Sequence, residues 1–246
     1  MIDPAPTAAM LAIGDELLSG RTKDRNIGHL ADVLALVGID LKEVRIVGDE
    51  EAAIVAALNA LRPAYTYVFT SGGIGPTHDD ITADAVAEAF GVAIGHDMRA
   101  LEMLGANYAS RGIEFTEARR RMARVPAGAD LIANPVSVAP GFRIGNVFVM
   151  AGVPAIFQAM LDRVVPTLRT GAKMLSETVH CPFGEGTIGT ALGDIQKAHP
   201  STVIGSYPKF ADGKFWTELV VRSRDAGALA AARAAVEAMV AGCAKS

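Results

Sequence analysis

The sequence predicts an α/β protein in which a mostly parallel sheet carries helices on both faces and a small α+β domain follows. Apolar runs such as residues 8–13 alternate with amphipathic segments along most of the chain, and parallel strands need such helical crossovers. The length of 246 residues exceeds that of a typical single domain. Because the pattern changes after residue 170, we expect a large domain at 1–170 and a small one at 171–246.

The first elements follow from hydrophobic periodicity. Residues 8–13 are continuously apolar and end at Gly14, which is typical of a strand buried on both faces. Between Thr22 and Val37 apolar residues recur at spacings of three and four, which predicts a crossover helix. Strands are then predicted at 41–47 and 65–70, with Asp49 as the cap of a helix that runs to Leu61.

The remaining elements continue the alternation. In the large domain we predict helices at 81–90, 98–111, 114–124 and 154–168, a strand at 129–133, and a hairpin of 142–144 and 147–150 around Gly145-Asn146. In the small domain we predict a strand at 177–182, a helix at 188–197, strands at 202–207 and 215–221, and an Ala-rich final helix. This β-α-β-β-α order suits an α+β domain.

Composition excludes several classes of protein. The formal net charge of -4 provides no broad cationic surface, so we expect no nucleic-acid partner. Cys181 and Cys243 lie far apart without further Cys or His companions, which argues against a disulfide framework or a zinc cage. The N-terminus lacks the basic-then-apolar order of a signal peptide, and apolar stretches are too short to cross a bilayer. We therefore expect a cytoplasmic protein with no membrane partner.

Acidic residues follow three of the predicted strands. They are Asp15 and Glu16 after the first strand, Asp49 and Glu50 after the second, and Asp79 and Asp80 after the third. Each alone could simply cap a helix. However, ligands bind outside the carboxyl ends of parallel strands, where these loops converge. Like charges about 4 Å apart repel by about 4 kcal/mol at an effective dielectric near 20, so such a cluster needs a cation, raised pKa values or wide spacing. The simplest prediction is a divalent cation such as Mg²⁺ beside substrate phosphates.

A glycine-rich loop from Ser71 to Thr77 follows the third strand. Its glycines allow consecutive backbone N–H groups to face an anion, and a helix N-terminus follows. The loop is neither the dinucleotide fingerprint, because His78 stands at the last glycine position, nor a P-loop, because no Gly-Lys-Ser/Thr follows. By itself it could be a tight connection. Beside the acidic loops it predicts a pocket for a phosphate-bearing small molecule, whereas we expect Arg21, Lys23, Arg25 and His78 to be solvated polar side chains.

These stretches resemble the molybdopterin-binding domain superfamily, and specifically the competence- and damage-inducible protein A N-terminal (CinA-like) family. The matching strings are Gly14 to Gly20, Asn26 with Leu30 and Leu34, Val47 to Asp49, Ser71 to Thr82, Asn134-Pro135 with Ala139 to Phe142, and Gly152 to Pro154. The resemblance implies a three-layer α/β/α domain, a KH-type-like small domain and a homo-oligomer.

The resemblance also implies metal-dependent cleavage of a pyrophosphate, typically that of ADP-ribose, with Mg²⁺ or Co²⁺. At matching positions, Glu16 and Asp80 are expected as metal ligands, Asp49 as a metal ligand or a water-orienting base, and Asp49 and Asp80 as the catalytic pair. The expected ligand and phosphate contacts are Gly14, Asp15, Ser71, Gly72, Gly73, Gly75, Pro76, Thr77, Asp79, Thr82, Gly152 and Pro154. The chain departs from the family pattern around Gly152, where Ala151 precedes it and Ala155-Ile156 replaces a pair that carries a carboxylate.

Two other functions stay open at this point. The protein could carry molybdopterin or a nucleotide without turnover, in a role linked to molybdenum cofactor biosynthesis, or act as an adaptor with a relict site. A carrier would retain its ligand independently of metal, whereas the enzyme would release product only with metal.

Overall fold

The computed structural model describes residues 5–244, and the chain divides into two compact units. The first unit ends at Gly171 and the second begins at Ala172. The expectation about an export signal rests partly on residues 1–4, which lie outside the described residues.

The first unit is built on a six-stranded sheet. In chain order its elements are β1 (Thr7–Ile13), α1 (Asp15–Leu18), α2 (Asn26–Leu36), β2 (Asp40–Val47), α3 (Glu51–Leu61), β3 (Tyr67–Ser71), α4 (Thr82–Phe90), β4 (Ile94–His96), α5 (Met98–Ser110), α6 (Glu117–Arg120), β5 (Arg124–Pro126), β6 (Asp130–Ile132), β7 (Gly141–Ile144), β8 (Val147–Met150) and α7 (Pro154–Val164). The strand order is β2-β1-β3-β8-β7-β6. β2, β1, β3 and β8 are parallel, and β7 and β6 extend the sheet in antiparallel pairing.

Helices cover both faces of this sheet. Successive side chains of a strand point to opposite faces, and along β1 Met10 and Leu11 are both fully buried. Leu11 belongs to an apolar cluster with residues of α3 and α4, whereas Met10 belongs to a second cluster with residues of α2 and α7. The predicted three-layer α/β/α architecture is confirmed.

The structure corrects three local predictions. Asp49 does not cap α3, because Glu50 occupies the N-cap position and no side-chain hydrogen bond is made there. α2 begins at Asn26 rather than Thr22. The helix predicted at 114–124 shortens to α6 and one 3₁₀ turn, because Arg124 starts β5, which pairs with β4 in a separate two-stranded sheet. Residues 124–126 carry no apolar run that would have indicated a strand.

The second unit has the predicted β-α-β-β-α order. Its elements are β9 (Leu175–Cys181), α8 (Glu185–Ala198), β10 (Val203–Ala211), β11 (Lys214–Ser223) and α9 (Ala226–Cys243), with strand order β10-β11-β9. The β10-β11 hairpin is longer than predicted and turns at Asp212 and Gly213, both at positive φ. The apolar core of the second unit contains Ile188, Leu219, Val221 and Val236.

Among residues 5–244, α9 is the one helix whose length and composition would allow it to cross a membrane. Its mean hydropathy of 1.3 reflects its many alanines. Leu229, Ala232 and Val236 of α9 pack into the core with residues of β9 and β11. Because a core helix passes the same test, α9 gives only weak support for a membrane span.

A substitution at the centre of the sheet tests the packing. Phe69 is fully buried and stacks on Phe148, with ring centroids 5.3 Å apart. We expect Phe69→Ala to lower the free energy of unfolding by about 3–5 kcal/mol, because it leaves a cavity. Urea unfolding followed by far-ultraviolet circular dichroism measures this. The control is Leu36→Ala, at a side chain that is 63% exposed, which should change the free energy of unfolding by less than about 0.5 kcal/mol. Similar losses in both variants would contradict the packing.

Candidate functional site

A cleft of about 540 Å³ lies where β1, β2, β3 and β8 end in the first unit. Its walls come from the loops that follow these strands, as expected for an open parallel sheet. The predicted site residues that line it are Gly14, Glu16, Asp49, Gly72, Gly73, Gly75, Pro76, Asp79, Asp80, Gly152 and Pro154. The structure therefore brings all three predicted metal ligands to one cleft.

Two of the predicted ligand contacts lie behind the glycine loop. Thr82 is fully buried, and its hydroxyl and N–H donate to the carbonyls of Gly72 and Gly73, each at 3.0 Å. Thr82 does not line the cleft, and its side chain supports the loop from inside. Ser71 is 4% exposed and accepts a hydrogen bond from Asn26, and it lines a smaller neighbouring pocket rather than the cleft.

Close approach requires glycine at two positions of the loop, Gly72 and Gly73, and leaves little space at Gly75. Gly72 has a φ of 114° and Gly73 a φ of 67°, both in the region that disfavours other residues. A Cβ at Gly72 would overlap the carbonyl oxygen of Ile13, and one at Gly73 would overlap the side chain of Thr82. At Gly75 a Cβ would lie 2.6 Å from the Asp80 carboxylate. At these glycines the loop therefore lines the cleft with main chain that carries no side chain.

The carboxylate of Asp80 forms hydrogen bonds within this loop. Its carboxylate accepts hydrogen bonds from the N–H of Thr77 at 2.8 Å and from the Thr77 hydroxyl at 2.5 Å. The guanidinium of Arg121 donates to the Asp80 carbonyl at 3.3 Å. Thr77 itself does not line the cleft, so its observed role is to fix Asp80 and the loop.

Asp15 and Asp49 join the ends of β1 and β2. The N–H of Asp15 donates to the Asp49 carboxylate at 3.0 Å, and the N–H of Asp49 donates to the Asp15 carboxylate at 3.3 Å. Burial raises the pKa of Asp49 above its usual value, and the charges of Asp15, Glu16 and Asp79 raise it further, although the Asp15 N–H lowers it. Carboxylates from two other loops therefore affect the pKa of Asp49, as predicted for the acidic edge.

The structure does not form the predicted three-carboxylate metal site. Within residues 5–244 no group of three or more His, Cys, Asp or Glu side chains is placed to hold a metal ion. Two of the three predicted ligands are hydrogen-bonded to neighbouring loop groups: Asp80 accepts from the Thr77 hydroxyl, and Asp49 accepts from the Asp15 N–H. The donor chemistry still fits Mg²⁺, which proteins often bind through one or two carboxylates with substrate phosphates and water completing the shell. The carboxylates whose charges act on Asp49 are those of Asp15, Glu16 and Asp79, and of these Glu16 and Asp79 line the cleft together with Asp49.

Part of the cleft lining was not predicted as site residues. This part comprises the loop of Asn134, Ser137 and Ala139 together with the apolar side chains of Met122 and Ile156. Asn134 shapes this loop, because its Nδ2 donates to the Ser137 hydroxyl at 2.7 Å and to the Ala139 carbonyl at 2.8 Å. The Asn-Pro pair was a turn signal, whereas the apolar wall had no local signature.

The cationic side chains behave as expected. Arg21, Lys23 and Arg25 are exposed, and none of them lines the cleft. The side chain of His78 is 99% exposed and lies 3.9 Å from the Asp79 carboxylate. The lining of the main cleft therefore combines carboxylates, the glycine loop and apolar side chains.

Comparison with known families gives two matches along the chain. A family described as "Probable molybdopterin binding domain" matches residues 9–170. A second family, described as "FAD synthase, middle domain", matches residues 173–244. The two matches together account for almost all of the described residues.

Individual relatives agree with these matches. A protein from Pyrobaculum calidifontis is 34% identical over 213 residues, which is 83% of this chain and 81% of that protein. A CinA-like protein from Geobacter sulfurreducens is 38% identical over 77% of this chain, and a probable FAD synthase from Caenorhabditis briggsae is 30% identical over 96% of it. The matched regions are 48% and 50% of those two relatives, so the chain spans about half their length.

A solved structure supports the same assignment. The crystal structure of the protein CinA from Thermoplasma acidophilum, described as of unknown function, is 30% identical and superposes with a TM-score of 0.61. The superposition covers 66% of this chain and 98% of that one.

The close approach at Gly72 gives a test of the loop. We expect Gly72→Ala to lower the free energy of unfolding by more than about 2 kcal/mol, because the new methyl group overlaps a main-chain carbonyl and the φ of 114° disfavours alanine. Urea unfolding measures the loss. Gly95→Ala is the matched control, since no atom lies within 4 Å of its added Cβ. A Gly72→Ala protein as stable as the control would show that the loop does not pack as described.

Proposed function

Since the chain belongs to the molybdopterin-binding domain family, in its CinA-like branch, we propose that its first unit hydrolyses the pyrophosphate of a nucleoside diphosphate-linked compound such as ADP-ribose, with the help of a divalent cation. The observation that carries the proposal is the cleft in which the acidic edge around Asp49 lies beside the bare backbone of Gly72 to Gly75. One wall suits a cation and the neighbouring loop suits phosphate oxygens.

The size and polarity of the cleft fit such a ligand. A volume of about 540 Å³ lies within the range of small-molecule sites, which combine apolar walls with a few polar groups. Met122, Val153 and Ile156 provide apolar surface for the organic part. The diphosphate then occupies the acidic and amide-rich half, where the cation offsets the repulsion between carboxylates and phosphates.

Glu16 and Asp49 are the residues that would hold Mg²⁺ or Co²⁺ together with the two phosphates. When bound, the cation supplies charge neutralisation and lowers the pKa of bound water. Asp49 also orients the attacking water by accepting one of its hydrogen bonds. The water oxygen forms a bond to one phosphorus, and the bond from that phosphorus to the bridging oxygen breaks. ADP-ribose would then give AMP and ribose phosphate.

The glycine loop stabilises the charge that develops on the phosphoryl oxygens. Its N–H groups lie on backbone held by Thr82 from inside and by the Thr77–Asp80 hydrogen bonds. Donors fixed before the reaction need no reorganisation in the transition state. Asp80 therefore acts as a positioning residue for this loop, which differs from the metal-ligand role expected from the sequence.

A second candidate function is binding of molybdopterin or a nucleotide without turnover. The lack of a ready three-carboxylate metal group in the described part of the chain favours it. The match of residues 173–244 to a family described by FAD synthase also favours a nucleotide ligand. This carrier would bind its ligand with equal affinity in Mg²⁺ and in a chelator, and it would release no product.

Substitution of Asp49 separates the two functions. We expect Asp49→Asn to lower the rate of AMP release from ADP-ribose with Mg²⁺ at least about 100-fold, because a ligand of the cation and the orienting group for water is lost. Chromatography of the products measures the rate. Asp162→Asn, which makes the same change at an exposed position on α7, should leave the rate unchanged. Wild-type protein that binds ADP-ribose but forms no AMP with Mg²⁺ or Co²⁺ would favour the carrier.

A further inference from the structure

A small pocket opens beside the cleft, at the N-terminus of α2. Its volume is about 50 Å³, and its lining includes Asn26, Ser71, Lys23 and Arg25. Glu16, Thr22, Gly152 and Pro154 line both this pocket and the cleft. A ligand bound in the cleft can therefore extend one substituent into the pocket.

Asn26 carries an unsatisfied buried polar atom at this place. The residue is 2% exposed, and its Nδ2 donates to the Gly152 carbonyl and to the Ser71 hydroxyl, each at 2.7 Å. Because a carbonyl can only accept, the bond to Gly152 fixes which end of the amide is nitrogen. Oδ1 is left as an acceptor with no hydrogen-bond partner.

An unpaired buried acceptor is unfavourable, because it has lost its hydrogen bonds to water. A partner for Oδ1 must donate an N–H or an O–H, which excludes a phosphate oxygen. The Ser71 hydroxyl accepts from Asn26, so its own proton is available to a second acceptor. The pocket thus offers one acceptor and one donor, which match a hydroxyl group.

The volume of the pocket and the charges that line it further restrict which ligand substituent fits. The volume of this pocket, about 50 Å³, is far smaller than the 540 Å³ of the cleft, so the pocket suits a small substituent of a ligand whose bulk lies in the cleft. Lys23 and Arg25 line the pocket together with the carboxylates of Glu16 and Asp24, so the charges offset one another and an uncharged polar substituent suits the pocket. A hydroxyl close to the diphosphate proposed for the cleft is the chemistry of a pentose phosphate.

We propose that this pocket is a sugar subsite, in which Asn26 and Ser71 bind a hydroxyl of the pentose attached to the diphosphate in the cleft. The inference rests on the proposed function for the placement of the diphosphate. It adds a reason why the ligand is a nucleoside or sugar diphosphate rather than inorganic pyrophosphate.

Calorimetry with three probes in Mg²⁺ tests this subsite: ADP, 2′,3′-dideoxy-ADP and inorganic pyrophosphate. Wild-type protein should bind ADP about tenfold more tightly than dideoxy-ADP, because dideoxy-ADP cannot form the buried hydrogen bond of the pentose hydroxyl. Asn26→Leu should remove this discrimination and leave pyrophosphate affinity unchanged. Asn59→Leu makes the same change at an exposed site on α3 and should keep the tenfold difference. Equal binding of ADP and dideoxy-ADP by the wild type would overturn the subsite.

A measurement on the unaltered protein covers the case in which Asn26→Leu does not fold. The side-chain amide signals of Asn26 in ¹H–¹⁵N spectra should shift with ADP and with ADP-ribose but not with pyrophosphate. An unmoved Asn26 signal, while the amides of Gly73 and Gly75 shift, would overturn the subsite and leave the proposed hydrolysis standing. A shifted Asn26 signal without AMP release from ADP-ribose would support the subsite and overturn the hydrolysis. No shift at any of these groups would overturn both.

Discussion

The site depends on one electrostatic constraint, which is the convergence of carboxylates at the carboxyl ends of β1, β2 and β3. Parallel strands direct their following loops to the same edge, and Asp15 and Asp49 are joined there by reciprocal main-chain hydrogen bonds. Burial and neighbouring negative charge raise the pKa of Asp49. Such an edge repels an anionic ligand unless a cation lies between them, and for this reason we connect the acidic wall with a metal-bound diphosphate.

In the proposed function, the neighbouring glycine loop attracts phosphate through main-chain N–H groups and not through a cationic side chain. Its shape is set by contacts behind it: Ile13 leaves no space for a side chain at Gly72, and Thr82 leaves none at Gly73. Asp80 and Arg121 hold the far end of the loop. The result is main-chain N–H groups on a backbone that is fixed before a ligand arrives, which is the arrangement that favours charge stabilisation.

Much of this organisation was predictable, and the errors have physical reasons. The apolar run of β1 and the periodicity of α2 predicted the three layers, and strand ends predicted the acidic edge. The hydrogen bonds of Asp80 to Thr77 and of Thr82 to Gly72 could not be predicted, because sequence shows which loop a residue belongs to and not which way its side chain points. Asn134 and Asn26 were matched only as parts of strings, since their hydrogen bonds to Ala139 and Gly152 depend on the folded loops. The short strands β4 and β5 were missed because their residues, unlike the stretch around β6, form no apolar run.

The dependence of ADP affinity on Mg²⁺ tests the central claim most directly. If the acidic edge binds a diphosphate through a cation, the dissociation constant measured by calorimetry should rise at least about tenfold when Mg²⁺ is replaced by a chelator at constant ionic strength. The same affinity with and without Mg²⁺ would contradict the account, because the carboxylates around Asp49 would then tolerate the phosphates without a shared cation.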